Sequence, residues 1–142
     1  VVTDGAGADL VPCGGGARAL AARLRGAAGV VVDGCVTDID ELREAGLPVW
    51  ARGLSARTTR GDGRAGSFCR PVQCGGQLVQ PGDIVLADEN GVLVMAPEEA
   101  QRLARRAIAL QQVEQGTLAR LRAGETYPQI LGTVLQGREE WQ

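Results

Sequence analysis

The chain contains no histidine and no lysine, which excludes several common kinds of catalytic and metal site. None of its 142 residues is His, and all 15 basic residues are Arg. Without imidazole the chain lacks the commonest general base and metal ligand, so a metal site would use carboxylates, carbonyls, water or cysteine. Without lysine it has neither a Schiff-base amine nor a P-loop lysine.

Aromatic residues and long apolar runs are also scarce. Aromatics make up 3% of the chain and the net charge is -2, so base stacking and electrostatic attraction to nucleic acid are both weak. Apolar runs such as residues 29–32 are far shorter than the roughly 20 residues that cross a bilayer. The start of the chain does not have the form of a signal peptide. We therefore expect a cytoplasmic protein that binds neither membrane nor nucleic acid.

Cysteine spacing indicates thiols rather than a structural zinc or disulfide framework. The four cysteines stand at positions 13, 35, 69 and 74, and no two of them form a CxxC pair. In a chain without a signal segment, such cysteines are expected to be reduced.

The remaining pattern is that of an α/β domain, with 44% apolar and 23% charged residues. Apolar, β-branched runs predict strands at 1–3, 29–33 and 48–51, and imperfect apolar stripes predict helices at 17–25 and 38–45. Glycine-rich stretches predict loops at 4–16 and 54–70. Hairpins are expected at 75–79 and 84–95, the second around Asn90-Gly91, and a long helix from Pro97 to about Arg122.

Two sequence blocks carry a resemblance to a known family. The first is GAAGVVVDGCVTDIDEL at 26–42, followed by GLPVWARG at 46–53. The second is PGDIVLADENGV at 81–92. In this order and spacing they resemble the RraA-like family, which includes 4-hydroxy-4-methyl-2-oxoglutarate aldolases, oxaloacetate decarboxylases and the regulator of ribonuclease E activity.

The resemblance implies an architecture and an assembly. It predicts a three-layer β/β/α domain of the swivelling type over residues 1–124. The residues that follow, 125–142, are expected to form a C-terminal tail that could include one short helix. It also predicts a homotrimer or hexamer with pockets between subunits. Because residues 1–5 match a strand in the middle of a family member, we expect the family's front segment to be missing from this chain.

The same resemblance implies the site residues. Asp38 matches the aspartate that holds a divalent metal, Mg or Mn, while Thr37 stands where the family has Arg. Gly16 stands where the family has Asp or Glu. The backbone amides that take the substrate carboxylate match Gly14, Gly15, Gly16, Ala17 and Arg18. Glu114 matches an acidic residue that a neighbouring subunit lends to the site.

Several of these residues have a structural alternative. Arg18 could supply the guanidinium lost at position 37 or be a solvated helix residue, and Asp38 could instead cap the helix that follows it. Asp33 fits the polar end of a strand, Cys35 a packed small residue and Asp88 a hairpin turn. An arginine cluster in the 54–70 loop could bind an anionic substrate or RNA, although a solvated or inter-subunit loop is favoured because aromatic stacking partners are scarce. Its members are Arg57, Arg60, Arg64 and Arg70.

Three functions remain open. The first is a metal-dependent, lyase-type enzyme acting on a small 2-oxo carboxylate or a related enolisable compound. The second is a non-enzymatic binding or regulatory module, because losing the Arg and the loop acid weakens the aldolase site. The third is a metal-free enzyme of specialised metabolism that uses the old pocket with Arg18, Thr37 and Cys35.

Overall fold

The computed structural model describes residues 1–4, 12–57 and 66–136, and its chain divides into two compact units, Val1–Ala96 and Pro97–Gln142. The first unit opens with strands β1 (Val2–Asp4) and β2 (Pro12–Gly14), helix α1 (Gly16–Leu24) and strand β3 (Val30–Val36). Helix α2 (Ile39–Glu44) and strand β4 (Val49–Leu54) follow.

Strand β3 is the centre of a four-stranded parallel sheet. It pairs with β4 along its length, while β1 pairs with residues 31–33 of β3 and β2 with its C-terminal end. Five of its seven residues are buried. A nearly continuous run of Val in such a strand is expected, because parallel strands are covered on both faces.

One face of the sheet packs against α1 and α2. Val32 and Val36 of β3 form the core with Ala19 of α1, Leu42 of α2 and Leu47. Both helices lead into turns at glycines with positive φ, +82° at position 26 and +62° at position 46. Glycine adopts this left-handed conformation without the steric cost of a Cβ, so each chain reversal is brief.

Two hairpins cover the other face. They are β5 (Val72–Cys74) with β6 (Gln77–Val79), and β7 (Ile84–Asp88) with β8 (Gly91–Met95). The backbone N–H of Gly75 donates to Asp33 Oδ2 at 2.8 Å. The indole Nε1–H of Trp50 donates to the Asp88 carbonyl oxygen, also at 2.8 Å. The sheet therefore lies between a helical layer and a hairpin layer.

The second unit consists of helices α3 (Pro97–Arg122) and α4 (Tyr127–Gln136). Arg120 and Glu125 form a salt bridge beside the turn between them, and Ile130 of α4 is 1% exposed. Helix α3 has no buried residue within this chain. Among the described residues, no helix is both long and apolar enough to cross a membrane.

Most predicted elements are confirmed, but several differ in extent. Strand β2 lies in the predicted 4–16 loop, because its pairing with β3 is a tertiary contact that Pro-Cys-Gly does not signal locally. Strands β3 and β4 each run three residues beyond their predicted ends, and the first hairpin begins at Val72. Helix α4 forms within the predicted tail, where the sequence allowed one short helix. Residues 5–11, 58–65 and 137–142 lie outside the described parts, so the loop predictions there stay predictions. The domain boundary at residue 124 stays a prediction as well.

Candidate functional site

The carboxyl ends of β2, β3 and β4 meet at one edge of the sheet. Val36 of β3 is in register with Gly14 of β2 and with Leu54 of β4. The Thr37 N–H donates to the Gly14 carbonyl at 3.0 Å, and the Ser55 N–H donates to the Val36 carbonyl at 2.9 Å. In open α/β sheets, ligands bind in the crevice outside this edge.

A cavity of about 270 Å³ opens at this edge. It takes its walls from the start of α1, from the residues that follow β3 and from those that follow β4. Its lining residues are Gly15, Ala17, Arg18, Thr37, Asp38, Ala56 and Arg57. Five of these seven are residues that the family resemblance indicated.

The carboxylate of Asp38 lies directly against the glycine-rich turn in the wall of this cavity. Its Oδ2 accepts the Gly16 N–H at 3.3 Å, and its Oδ1 accepts the Thr37 hydroxyl at 3.1 Å. Asp38 stands at the N-cap position of α2, but its side chain makes no cap hydrogen bond there. Asp38 is therefore the N-cap residue of α2 by position, but its carboxylate does not cap the helix.

The backbone of Asp38 is left-handed, with φ 59° and ψ 53°. Non-glycine residues seldom adopt this conformation, although Asp and Asn tolerate it better than most. A residue held this way costs on the order of 1–3 kcal/mol, and such strain clusters at functional sites. In Asp38 this strained backbone accompanies a carboxylate that points toward the start of α1.

Gly15 makes room for that carboxylate. A Cβ on Gly15 would lie 2.4 Å from Asp38 Oδ2 and 3.1 Å from Thr37 Cγ2. Its φ of -149° is an ordinary extended value that any residue adopts. Glycine is therefore needed at this position for the close approach of Asp38 and not for its backbone conformation.

Gly16 is equally restricted, for a different reason. A Cβ there would lie 2.3 Å from the Cβ of Glu41 on α2. The stem of Glu41 thus occupies the space that a side chain at position 16 would need, and the family's loop acid has no room in this arrangement.

Arg18 lies in the first turn of α1 with its guanidinium fixed at one end. Its Nη1 donates to the Cys13 carbonyl oxygen at 2.9 Å. A guanidinium has five N–H donors, so others remain for a ligand. Arg18 and Gly15 also line a neighbouring, mostly apolar cavity of about 300 Å³, and Gly14 lies in that second cavity.

The other residues singled out from the sequence lie elsewhere. Asp33 accepts hydrogen bonds from Arg52 and from the Gly75 N–H, and these hold the pKa of its carboxyl below the ordinary value. Asp88 closes the β7–β8 turn, accepting the Asn90 N–H at 2.8 Å, and this bond lowers its pKa. Cys35 is buried in β3, and none of the four cysteines forms a disulfide. Glu114 lies on α3 in the second unit.

Arg57 lines the cavity, although its sequence context favoured a solvated or inter-subunit loop over an anion-binding role. It was grouped with a solvated, arginine-rich loop, of which Arg60 and Arg64 lie outside the described residues. The useful signal was its place just after β4, since residues that follow adjacent parallel strands meet at one edge of the sheet.

Among the described residues that line the cavity, Asp38 is the one carboxylate to which a metal could bind. An ionised carboxylate offers about four lone-pair sites, and two protein donors use Asp38. Mg²⁺ is commonly held by one or two carboxylates together with several waters and the substrate. Within the described ranges, no group of three or more His, Cys, Asp or Glu side chains could hold a metal ion. The residues therefore fit a cation with one protein ligand rather than an all-protein cage.

Comparison with known proteins connects this geometry to a family. The family model for RraA-like proteins, described as Aldolase/RraA, matches residues 1–94. A Burkholderia mallei protein named "Putative 4-hydroxy-4-methyl-2-oxoglutarate aldolase" is 44% identical over 101 residues, which cover 64% of this chain and 60% of that protein.

Solved structures give the same result. RraAS2 of Streptomyces coelicolor, described as an unusual member of the RNase ES inhibitor RraA protein family, is 30% identical with a TM-score of 0.71, covering 82% of this chain and 59% of its own. The RNA-processing inhibitor RraA of Thermus thermophilis is 36% identical with a TM-score of 0.60, covering 66% and 57%. The chain thus spans 57% to 60% of the length of these three proteins.

Proposed function

The chain belongs to the RraA-like family, and we propose that it is a lyase-type enzyme that binds a small 2-oxo carboxylate in the cavity at the start of α1. The family includes aldolases and decarboxylases as well as regulators of ribonuclease. The observation that supports an enzyme is the orientation of Asp38, whose carboxylate is turned into the cavity at the cost of a left-handed backbone.

The start of α1 suits the substrate's carboxylate. Helix α1 has nine residues, and its N-cap Gly15 supplies no side-chain acceptor to the first turn. Backbone N–H groups at a helix start and the partial positive charge there favour an anion. The Gly16 N–H already donates to Asp38, and the Arg18 N–H to the Gly15 carbonyl. The N–H of Ala17, which lines the cavity, is therefore the amide of this turn that supports the proposal.

Charge in the cavity favours an enolate. Cleavage of the bond between C3 and C4 of a 2-oxo acid releases C4 as CO₂ or a carbonyl compound and leaves its electron pair on C3. That pair is delocalised onto the 2-oxo oxygen as an enolate, and fixed cations lower the energy of this state. Arg18 provides one such cation, with its guanidinium oriented by the Cys13 carbonyl. A Mg²⁺ or Mn²⁺ ion held by Asp38 would supply Lewis-acid stabilisation of the same charge.

Thr37 has a positioning role in this proposal. It replaces the family's Arg, so a fixed charge and its donors are lost at this position. Its hydroxyl instead donates to Asp38 Oδ1 at 3.1 Å and holds the carboxylate toward the cavity. Removing one oriented donor to a developing oxyanion costs roughly 10²–10³ in rate. We therefore expect weak turnover of the family's aldolase substrates.

Oxaloacetate decarboxylation with Mg²⁺, with Mn²⁺ and with a chelator tests the proposal. We expect metal-dependent turnover that Asp38→Asn lowers by at least about 10². The matched control is Asp40→Asn, which removes an exposed carboxylate on α2 that pairs with Arg43 outside the cavity. Equal activities of the two variants would contradict the proposed role of Asp38.

Two other functions would give different results. A non-enzymatic regulatory module is favoured by the replacements at Thr37 and Gly16, and it would bind 2-oxo acids weakly and turn none over. A metal-free enzyme would keep its turnover in the presence of the chelator. The decarboxylation assay distinguishes the two, because a regulatory module gives no turnover and a metal-free enzyme gives turnover that the chelator leaves unchanged.

The proposed assembly is a cytoplasmic homotrimer or hexamer in which Glu114 of one subunit approaches the site of the next. Helix α3 supports it, because apolar side chains such as Ile108 and Leu110 are 56% and 51% exposed. Light scattering on the purified chain tests the assembly, and a monomer at micromolar concentration would contradict it.

A further inference from the structure

A second cavity of about 300 Å³ lies beside the one that holds Asp38. Helix α1 and the strands of the parallel sheet supply most of its walls, and its lining is mostly apolar, so we call it the apolar cavity. The two cavities share Gly15 and Arg18. The proposed chemistry at the 2-oxo group does not use the apolar cavity.

Small side chains on α1 leave this space open. Ala19 and Ala22 lie three residues apart on one face of the helix, and both line the cavity together with Val30 and Val32 of β3. Methyl groups at these two helix positions fill much less of the gap to the sheet than larger side chains would. Phe68 also lines the cavity while it is 92% exposed, so the cavity opens to solvent on that side.

A single guanidinium gives the apolar cavity its charge. Among the described residues that line it, Arg18 has the one charged side chain. Its Nη1 donates to the Cys13 carbonyl oxygen at 2.9 Å, which holds the guanidinium at the edge shared with the Asp38 cavity. Burial raises the pKa of the Cys13 thiol above its ordinary value, although Arg18 opposes this shift. The thiol is therefore neutral at pH 7, and the wall beside the guanidinium is uncharged.

We propose that the apolar cavity binds a monocarboxylic acid with an unbranched apolar tail, with the tail between α1 and β3 and the carboxylate on Arg18. Small-molecule sites are typically concave and mostly apolar, with a few polar groups that fix orientation, and they begin at about 300 Å³. The volume therefore favours one short tail. The planar fork of Arg18 matches a carboxylate with two parallel hydrogen bonds, although solvent weakens the contact because Arg18 is exposed.

Calorimetric titration of the full chain in buffer without divalent metal tests the inference. The probes are octanoate, butanoate and octanol. Each fully buried methylene strengthens binding about fourfold, so octanoate should bind at least about 30-fold more tightly than butanoate in this partly open cavity. Arg18→Gln should weaken octanoate binding about tenfold and leave octanol binding nearly unchanged, because octanol has no carboxylate.

Filling the cavity tests where the tail binds. Ala22→Leu should weaken octanoate binding by about tenfold or more, because the added carbons occupy the space of the tail. The matched control is Ala21→Leu, which adds the same carbons at an exposed position of α1 that does not line the cavity, and it should keep the original affinity. Urea unfolding of both variants shows whether they remain folded. If Ala22→Leu does not fold, the comparison of octanoate with butanoate and the Arg18→Gln variant decide.

Three results would overturn the inference. They are no octanoate binding by the unaltered chain, equal affinities for octanoate and butanoate, and octanoate binding that survives Ala22→Leu in a folded variant. Because this titration involves neither metal nor turnover, none of these results bears on the proposed function, which the decarboxylation assay tests separately.

Discussion

Substituting Gly15 by alanine should separate the activity of this protein from its stability. A Cβ at this position would lie 2.4 Å from Asp38 Oδ2, whereas ordinary contacts begin at 3.4 Å. The carboxylate must therefore move by about 1 Å, and a misplacement of that size can cost about 10²-fold in rate. We expect kcat/KM for oxaloacetate to fall by that factor.

The stability of the Gly15→Ala variant should change little. Moving the carboxylate loses its hydrogen bond with the Gly16 N–H, which is worth about 1 kcal/mol. Alanine also lowers the conformational entropy of the unfolded chain. Because the φ of Gly15 suits any residue, this effect stabilises the folded state by about 0.4–1 kcal/mol. The free energy of unfolding in urea should thus stay within about 1 kcal/mol of the original value.

Gly53→Ala is the matched control, because a Cβ at this β4 position meets no atom within 4 Å. It should keep the original activity. Full activity of Gly15→Ala would show that the position of the Asp38 carboxylate is irrelevant to turnover. A loss of several kcal/mol in stability would instead show that Gly15 is a packing position, and either result would refute the reasoning.

Three further predictions concern the fold around the site. Asp38→Val should lower the free energy of unfolding in urea by about 1–2 kcal/mol, because a β-branched residue fits a left-handed backbone poorly. Asp38→Asn should leave it nearly unchanged, and equal losses for the two variants would contradict a strained backbone at this position. The pKa of Asp33 is lowered in the folded state, chiefly by Arg52, so its contribution to stability is present above the ordinary carboxyl pKa and lost as pH falls through the lowered value. Chemical unfolding measured from pH 6 down to pH 2 should therefore show a shallower decline for Asp33→Asn, and superimposable curves would contradict this. Leu42→Ala removes a buried side chain from the core and should lower the free energy of unfolding in urea by about 2–5 kcal/mol. Leu24→Ala, at an exposed position, should lower it by less than about 0.5 kcal/mol, and similar losses for the two variants would contradict the described packing.

The elements of the fold that could be predicted are those with local signals. Asn90-Gly91 favours a tight hairpin turn, and Pro97 followed by two glutamates suits the first turn of a helix. Strand β2 has no such signal. Its three residues become a strand because β3 offers an unpaired edge, and that edge is set by contacts distant in sequence.

Some features of the candidate site could also be predicted from the sequence, whereas others depend on tertiary packing. Asp38 and the start of α1 could be identified through a family resemblance, and the structure brings them to one cavity. The left-handed turn at Asp38 and the contact of Glu41 with the space beside Gly16 depend on how α1 and α2 pack. Arg57 was named only as a member of an arginine-rich loop, because the composition around it is that of a solvated loop, whereas its position beside the cavity depends on the pairing of β3 with β4. The functional roles of these residues stay predictions.

A crystal structure of the protein soaked with oxalate and Mg²⁺ tests the central claim most directly, because oxalate resembles the enolate of pyruvate in charge and shape. We predict density for both in the cavity at the carboxyl ends of β2, β3 and β4, with the cation beside Asp38 and a carboxylate against the first turn of α1. An empty cavity at saturating concentrations, or oxalate bound elsewhere on the chain, would contradict the claim.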